Sequence, residues 1–368
     1  MQDRKEKKYR KINWKLAGSL MKGNGRYILF SALALAVAVV AAYCGPLIVS
    51  FTVDYVIGDK ASNLPAFVMR AVENLGGREF LRGNLWVCAA ALVSFTLVNG
   101  YATYLRRRYI AVASEGFAME MRNRLYHHLQ AVPYDYHKHA STGDLVQRCT
   151  SDVDTVRRFM ANQLMEILRT VFMVSAACYI MFSLDVTMSL ISMVLLPVLG
   201  VFSFVYFGMV KEQFRLSDEA EGKLSSTLQE NLTGVRVVRA FGQEKSELDK
   251  FTACNEDFRN KTYKLIRLFG GYFGSSDFVG YTQIAITLLT GVAFAVKGRL
   301  TLGEVMVFTT YVAMLTWPVR QLGRVLADLG KATVSLGRVE EILAVPEETE
   351  PGTAGRPVIK GEIEFRGV

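Results

Sequence analysis

Apolar residues fall along this chain in six long runs, separated by polar stretches that alternate between short and long. Tyr27–Val53, Leu85–Leu105, about Leu164–Leu184, Val186–Val210, about Gly271–Val296 and Leu302–Val325 are each long and apolar enough for a membrane-crossing helix, which takes about 20 residues. The first run is interrupted only at Cys44-Gly45-Pro46, where the missing proline N–H predicts a kink. It is too long for a signal-peptide core and lacks a small-residue cleavage pattern, so it reads as a retained span. Asp54–Asn84 connects it to the second span, with a short helix predicted over Pro65–Leu75 and closed by Gly76-Gly77. Spans three and four, and spans five and six, are joined by tight turns, the latter Lys297–Thr301. Between spans two and three, and between four and five, the chain makes polar excursions over about 106–162 and 211–269.

These excursions carry helical stripes. In the first, Ile110, Ala113, Phe117, Met121, Leu125 and Leu129 recur at three- and four-residue steps until Val132-Pro133-Tyr134 stops the ladder. A second arm starts near Ser141-Thr142-Gly143-Asp144, where a hydroxyl can cap it, and continues through Leu145, Cys149, Val153, Val156 and Met160. In the second excursion Leu224, Leu228, Leu232, Val235, Val238 and Phe241 predict one apolar stripe on a long helix over Leu224–Phe251. Arms of about 25 residues at 1.5 Å each reach about 35–40 Å from the bilayer. Such stalks cannot bury their stripes alone and are expected to pack on one another in a dimer.

Charge sets the topology. The two excursions together hold 20 Lys and Arg, including Arg106-Arg107-Arg108 at a span end, whereas the three other connections hold a handful. Cations concentrate on the cytoplasmic side, so both termini are expected inside. Residues 1–26 are crowded with cations that alternate with Ile12, Trp14, Leu16, Leu20 and Met21, predicting a short elbow helix in the headgroup layer. The net charge of +9 therefore reads as membrane topology and not as a nucleic-acid groove. The five cysteines form no CxxC pair and read as packing residues, with neither a disulfide framework nor a zinc site. All four histidines, His127, His128, His137 and His139, lie in the first excursion, but no carboxylate or cysteine joins them at a ligand spacing, so no metal site is expected.

The expected fold is an all-α membrane protein of six transmembrane helices with two long cytosolic helical extensions. At this point the residues resemble the transmembrane domain of an exporter-type ATP-binding-cassette (ABC) transporter. The first excursion carries Gly143-x-Leu145-x-x-Arg148-x-x-x-Asp152. The second carries Glu230-x-x-x-Gly234-Val235-x-x-Val238-x-Ala240-Phe241-x-x-Glu244, then Phe251. Pro318 and Leu322 lie in the sixth span, followed by Arg338-Val339-Glu340-Glu341-Ile342-Leu343. The whole set, in order on a six-span plan, carries the likeness.

The resemblance implies a domain plan of a basic N-terminus over 1–26, a six-span domain over 27–345, and a linker with the first strand of a nucleotide-binding domain over 346–368. The family's ATPase motifs lie beyond that strand. No GxxxxGK[ST] loop is present, and the Gly-rich stretches at 23–25 and 270–271 lack its lysine and its strand-loop-helix setting. The chain is thus expected to be a truncated or membrane-domain-only half-transporter without ATPase activity of its own, with ATP and Mg bound through absent nucleotide-binding domains. Its other expected partners are a second transmembrane subunit, identical or not, and the lipid bilayer, with no nucleic acid. A bacterial plasma membrane is the expected location.

By position, the resemblance implies short coupling helices at about Tyr134–Ser141 and Gly242–Lys250, the second reaching the nucleotide-binding domain of the opposite subunit. Tyr136 and His137 are candidates in the first, and Phe241, Glu244 and Leu248 in or beside the second. Ionisable residues inside spans are costly and point to function. Asp277 in span five is the first candidate for a substrate path and Arg169 in span three the second, the latter paired with Glu166 or with an acid on another helix. Met306, Phe308 and Trp317, together with Met173, Phe204, Phe294 and Met314, would suit a lipophilic cavity. The sequons at Asn231 and Asn260 fall in the internal excursion and are expected to be unmodified.

The expected function is translocation of amphipathic or lipophilic compounds, drug-like, lipid or peptide, out of the cytosol by alternating access. Metal-chelate import on the same fold stays open. So do a secondary carrier or channel, and a membrane scaffold without ATP coupling.

Overall fold

The computed structural model describes residue 18, residues 23–58, 60, 66–74, 76–348, 361 and 364–367. The predicted elbow helix and the linker over 346–357 lie largely outside the described residues, and Glu364–Gly367 of the predicted opening strand are described but form no strand. Nine helices and no strand are formed among the described residues: α1 Gly25–Ile57, α2 Ala66–Asn74, α3 Gly77–Gly83, α4 Trp86–Ala131, α5 Tyr134–His139, α6 Thr142–Leu184, α7 Val186–Ala240, α8 Glu244–Val296 and α9 Leu302–Leu343. Six of them, α1, α4, α6, α7, α8 and α9, are long and apolar enough to cross a membrane. The described chain packs as two compact units. One holds Gly23–Ser114 and Arg158–Lys331, the other Glu115–Arg157 and the chain from Ala332 onward.

The larger unit is built on a core contributed by four helices. Leu35, Val39 and Tyr43 of α1 meet Met173, Ala177 and Met181 of α6, Met188 of α7, and Val305, Phe308, Tyr311, Val312 and Leu315 of α9. Two tyrosines lock its centre. The Tyr311 hydroxyl donates to the Tyr43 carbonyl at 2.7 Å, the Tyr43 hydroxyl donates to the Met173 carbonyl at 3.0 Å, and the two rings meet edge-on at 4.6 Å. Within a bilayer these hydroxyls have no water to turn to, so the paired carbonyls satisfy them. Small residues let α8 approach its neighbours. A Cβ on Gly280 would stand 2.8 Å from Thr316, and one on Gly291 would stand 2.9 Å from Val305.

The helix α1 differs from the sequence expectation. It runs through Pro46 without a break and continues past Val53 as a wider π-helical stretch over Thr52–Ile57. Asp54 explains the extension. Its carboxylate accepts from the Thr301 hydroxyl at 2.5 Å and from the Gly303 N–H at 3.0 Å, which ties the end of α1 to the start of α9.

The second excursion also departs from expectation. Leu224–Phe251 is not one helix: α7 ends at Ala240, Gly242 takes φ +61°, and α8 starts at Glu244. Only a glycine adopts that backbone cheaply, and the turn closes with Phe241 N–H on Val237 O and Gln243 N–H on Val238 O, both at 3.0 Å. No separate short helix forms over Gly242–Lys250, because Glu244 begins a helix of 53 residues. The predicted stripe is turned outward as well. The seam between α7 and α8 is small and polar: Ser217 bonds Thr262 at 2.9 Å, Thr227 meets Cys254 at 3.6 Å, Asn231 donates to Glu247 at 3.0 Å, and Lys250 pairs with Glu230 at 3.1 Å. Leu228, Leu232 and Val235 stay exposed. Within one chain, polar pairs zip the hairpin and the apolar face is left over.

In the smaller unit Phe117, Met121 and Leu125 of α4 are fully buried, as are Val153 and Val156 of α6. The buried face shifts by one residue at the end of α4 and runs past the predicted end: His128 and Val132 are buried, while Leu129 is only half-buried. Ser141 precedes α6 in extended backbone but makes no side-chain cap, so the helix start there relies on its backbone carbonyl, which accepts from Leu145.

Candidate functional site

Three groups of the predicted site residues can be followed in the structure: two at the excursion tips and one in the spans. In the smaller unit, Pro133 ends α4 and sets α5, a helix of six residues. Tyr136 and His137 stand side by side on it, with ring centroids 5.8 Å apart. His137 is exposed and bonds the Leu129 carbonyl through Nε2 at 2.9 Å, while His139 bonds the Asp135 carbonyl at 2.9 Å. Tyr136 is half-buried. Burial raises its phenol pKa, and Arg148 partly opposes that rise.

Beneath these residues lies a polar network that the sequence reading quoted only as motif letters. Asp144, Arg148 and Asp152 are four residues apart and share a face of α6. Arg148 pairs with Asp144 at 2.8 Å and with Glu341 of α9 at 3.1 Å, and also donates to the Arg338 carbonyl at 3.2 Å. Asp152 accepts from Ser335 at 2.8 Å and faces Arg338 at 3.7 Å. Burial works against the charged form of Arg148, yet the two carboxylates hold its pKa above the usual value. Nearby, His128 Nδ1 meets Glu347 at 2.9 Å and the Glu348 N–H donates to Ala131 O at 2.7 Å, which fastens the chain after α9 to the end of α4. The four-residue charge spacing was the available signal for this network.

In the larger unit, the α7–α8 turn exposes Phe241, Glu244 and Leu248 together, with Phe241 at 75% and Leu248 at 62% of full exposure. An aromatic and a leucine so open at the end of two helices are costly in water unless another surface covers them. Glu244 lies in the first turn of α8, where the helix dipole favours a negative charge.

Among the residues in the spans, Asp277 and Trp317 are brought together by one that sequence reasoning missed, Arg320. Arg320 Nη1 stands 2.5 Å from Asp277 Oδ1, and its guanidinium lies over the rings of Phe273 at 5.6 Å and Trp317 at 5.7 Å. The Tyr272 hydroxyl lies 2.9 Å from both the Arg320 carbonyl and Ser203 Oγ and shares its one hydrogen between them, which fixes the backbone beneath. The rule that singled out Asp277, an ionisable residue inside a span, applied equally to Arg320. Arg169 pairs with Glu166 on its own helix at 3.4 Å. Phe308 is enclosed in the core, whereas Met306 is exposed. No hydrogen bond, ion pair or ring contact joins Arg169, Met306 or Phe308 to the Asp277 cluster among the described residues.

Comparison with known proteins adds a family likeness to this geometry. Residues 28–319 match the profile described as the ABC transporter transmembrane region. The chain is 25% identical over 345 residues to an uncharacterised ABC transporter ATP-binding protein, YknU, of Bacillus subtilis, covering 93% of this chain and 56% of that protein. It is 24% identical to an ATP-dependent lipid A-core flippase of Aromatoleum aromaticum, over 84% of this chain and 50% of the flippase. It is 26% identical to the multidrug resistance-like ATP-binding protein MdlA of Escherichia coli, over 82% of this chain and 51% of that protein. The chain spans about half the length of these curated relatives.

Proposed function

The chain belongs to the family of ABC transporter transmembrane regions and is an integral membrane protein; on that premise we propose that it is the translocation domain of an ATP-driven exporter of amphipathic or lipophilic compounds. It works as a dimer with a second transmembrane subunit, with both termini and both excursions in the cytosol. The domain plan of a basic N-terminus over 1–26, a six-span body over 27–345 and a connection to a nucleotide-binding domain over 346–368 is part of this reading. ATP and Mg are assigned to that further domain. The Gly270-Gly271 pair does not fit a phosphate, since it lies inside α8, where backbone N–H groups are already spent on the helix.

The observation that carries the proposal is the α7–α8 hairpin. Leu195–Ala240 of α7 and Glu244–Val296 of α8 each run from an apolar span to the polar hairpin tip as one helix, so force at the tip is carried into the membrane. Phe241 and Leu248 form the knob that a soluble domain would cover, Glu244 supplies charge beside it, and Tyr136 with His137 forms the corresponding knob of the first excursion. Asp277, Trp317 and Met306 are the residues proposed for the substrate path, with Arg169 a second polar position.

The test uses the full-length protein in lipid nanodiscs. Phe241→Ala and Leu248→Ala together should leave basal ATP hydrolysis measurable and remove its stimulation by amphiphiles. Stimulation equal to that of the unmodified protein would speak against a force path through this tip and in favour of a scaffold whose arms merely bind a partner.

A further inference from the structure

The Asp277–Arg320 pair is built unevenly. The arginine side chain is 7% exposed and the aspartate 49%. The base is sunk between Phe273 and Trp317, while the acid stands open. A buried guanidinium in a low-dielectric span needs a fixed counter-charge, and Asp277 Oδ1 supplies it.

The pair leaves two groups over. Asp277 Oδ2 accepts no hydrogen bond among the described residues, and Arg320 Nε is buried with no acceptor. The buried donor is beyond the reach of any ligand while the pair is closed. The open acceptor is not. Around it the chemistry is aromatic: Phe273 and Tyr281 lie one turn to either side of Asp277 on α8, Trp317 lies on α9, and all three are exposed. A half-open carboxylate facing hydrocarbon would be costly, so this face belongs to a polar path or to bound solute. A carboxylate acceptor ringed by aromatic faces is complementary to a cation that can donate hydrogen bonds and whose tail is apolar.

We propose that Asp277, held by Arg320 and flanked by Phe273, Tyr281 and Trp317, is a recognition point for the protonated amine of an amphiphile. The assignment names a substrate chemistry for the exporter reading and rests on it. Asp277 makes the contact. Arg320 is a positioning residue, holding the carboxylate in its aim, and the aromatic rings bind the part of the ligand next to the nitrogen.

The experiment is a binding measurement and needs no nucleotide. In full-length protein in nanodiscs, with Trp14, Trp86 and every tryptophan outside this chain replaced by phenylalanine, Trp317 fluorescence reports occupancy. Dodecylammonium, dodecyltrimethylammonium, dodecanol and dodecyl sulfate share a tail and differ in headgroup. Dodecylammonium should bind most tightly, dodecyltrimethylammonium less so for want of a donor, and the neutral and anionic probes weakest. Asp277→Asn should weaken dodecylammonium by about tenfold or more and leave dodecanol unchanged, because only the charge-assisted bond is lost. Asp277→Glu should restore most of the affinity, and it serves as the test if the asparagine variant does not fold.

Equal binding of all four probes, or a dodecylammonium affinity untouched by Asp277→Asn, would overturn the proposal and leave the pair a purely structural ion pair. Tighter binding of dodecyl sulfate would also overturn it, pointing to Arg320 as the contact. If dodecylammonium binds as predicted but never stimulates ATP hydrolysis, the subsite stands and the exporter reading fails.

Discussion

The side-chain amide of Gln283 sits in the backbone ladder of α7 beside Leu195. Gln283 Oε1 accepts from the Leu195 N–H at 3.0 Å, and Nε2 donates to the Ile191 carbonyl at 3.0 Å. Ile191 and Leu195 are the donor–acceptor pair that an unbroken α-helix would join directly. Two residues on, Pro197 has no N–H to give and crowds the carbonyl of Met193, so α7 opens here and the glutamine fills the gap. Replacing Gln283 with leucine keeps the volume and removes both bonds, at a cost of about 1–3 kcal/mol in a setting without water. The apparent Tm in nanodiscs should fall by several degrees, and an unchanged Tm would mean that α7 closes the break by itself.

At the far turn, Asp185 both caps α7 and holds Arg299. Its Oδ1 accepts from the Met188 N–H at 2.7 Å, and Arg299 Nε donates to Oδ2 at 2.8 Å. Burial opposes ionisation of Asp185, but the Met188 bond and the arginine prevail and hold its carboxyl below the usual range. A depressed folded-state pKa stabilises the fold above the ordinary carboxylate range and loses that effect as pH falls through the folded value. Asp185→Ala should cost about 1–2 kcal/mol at neutral pH, mostly through the cap, since Arg299 is half exposed and its ion pair is screened. Thermal unfolding from pH 7 to below about pH 4 should show an acid-side decline that is shallower in Asp185→Asn. Parallel curves for the two proteins would contradict the assignment.

The ion pair between Arg148 and Glu341 should couple energetically as well as geometrically. Arg148 is well covered, so its removal leaves Asp144 and Glu341 facing each other without the intervening cation. A double-mutant cycle over Arg148→Ala and Glu341→Ala should give a coupling of about 1–2 kcal/mol by thermal unfolding. Strict additivity would reduce the contact to a surface pair without consequence.

The outward stripe of α7 offers a separate check on assembly. Leu228, Leu232 and Val235 are too apolar to stand in water across a 46-residue helix segment unless another surface meets them. Leu232→Asp should lower the dimer fraction measured by mass photometry in nanodiscs, while the exposed Lys223→Asp on the same segment should not. Equal effects would remove the stripe from the interface.

Much of the fold was legible because the membrane imposes a simple rule on composition. The six apolar runs became six helices, and Pro133 and the Gly76 turn fell where local chemistry put them. The misses share a cause, which is that contacts distant in sequence outweighed local preference. The first apolar run reads as ending at Val53, yet α1 continues to Ile57 and places Asp54 on Thr301 and Gly303, 247 and 249 residues away. The Leu224–Phe241 stripe was legible as a face one chain cannot bury, whereas the hairpin seam itself, made by Glu230–Lys250 and Asn231–Glu247 on the polar side, was not. Among the candidate site residues, Asp277 was visible as a lone charge in a span, while its partner was hidden by distance: Arg320 lies 43 positions on, and only folding puts the two together.

The account depends on the α7–α8 tip lying in the cytosol, where a nucleotide-driven partner could push on it. Side-specific labelling reads this directly: Glu244→Cys in a background where Cys44, Cys88, Cys149, Cys178 and Cys254 are serine or alanine, probed with a membrane-impermeant maleimide. The account predicts no labelling in intact cells and full labelling in inside-out vesicles. Labelling of Glu244→Cys from outside intact cells would contradict it.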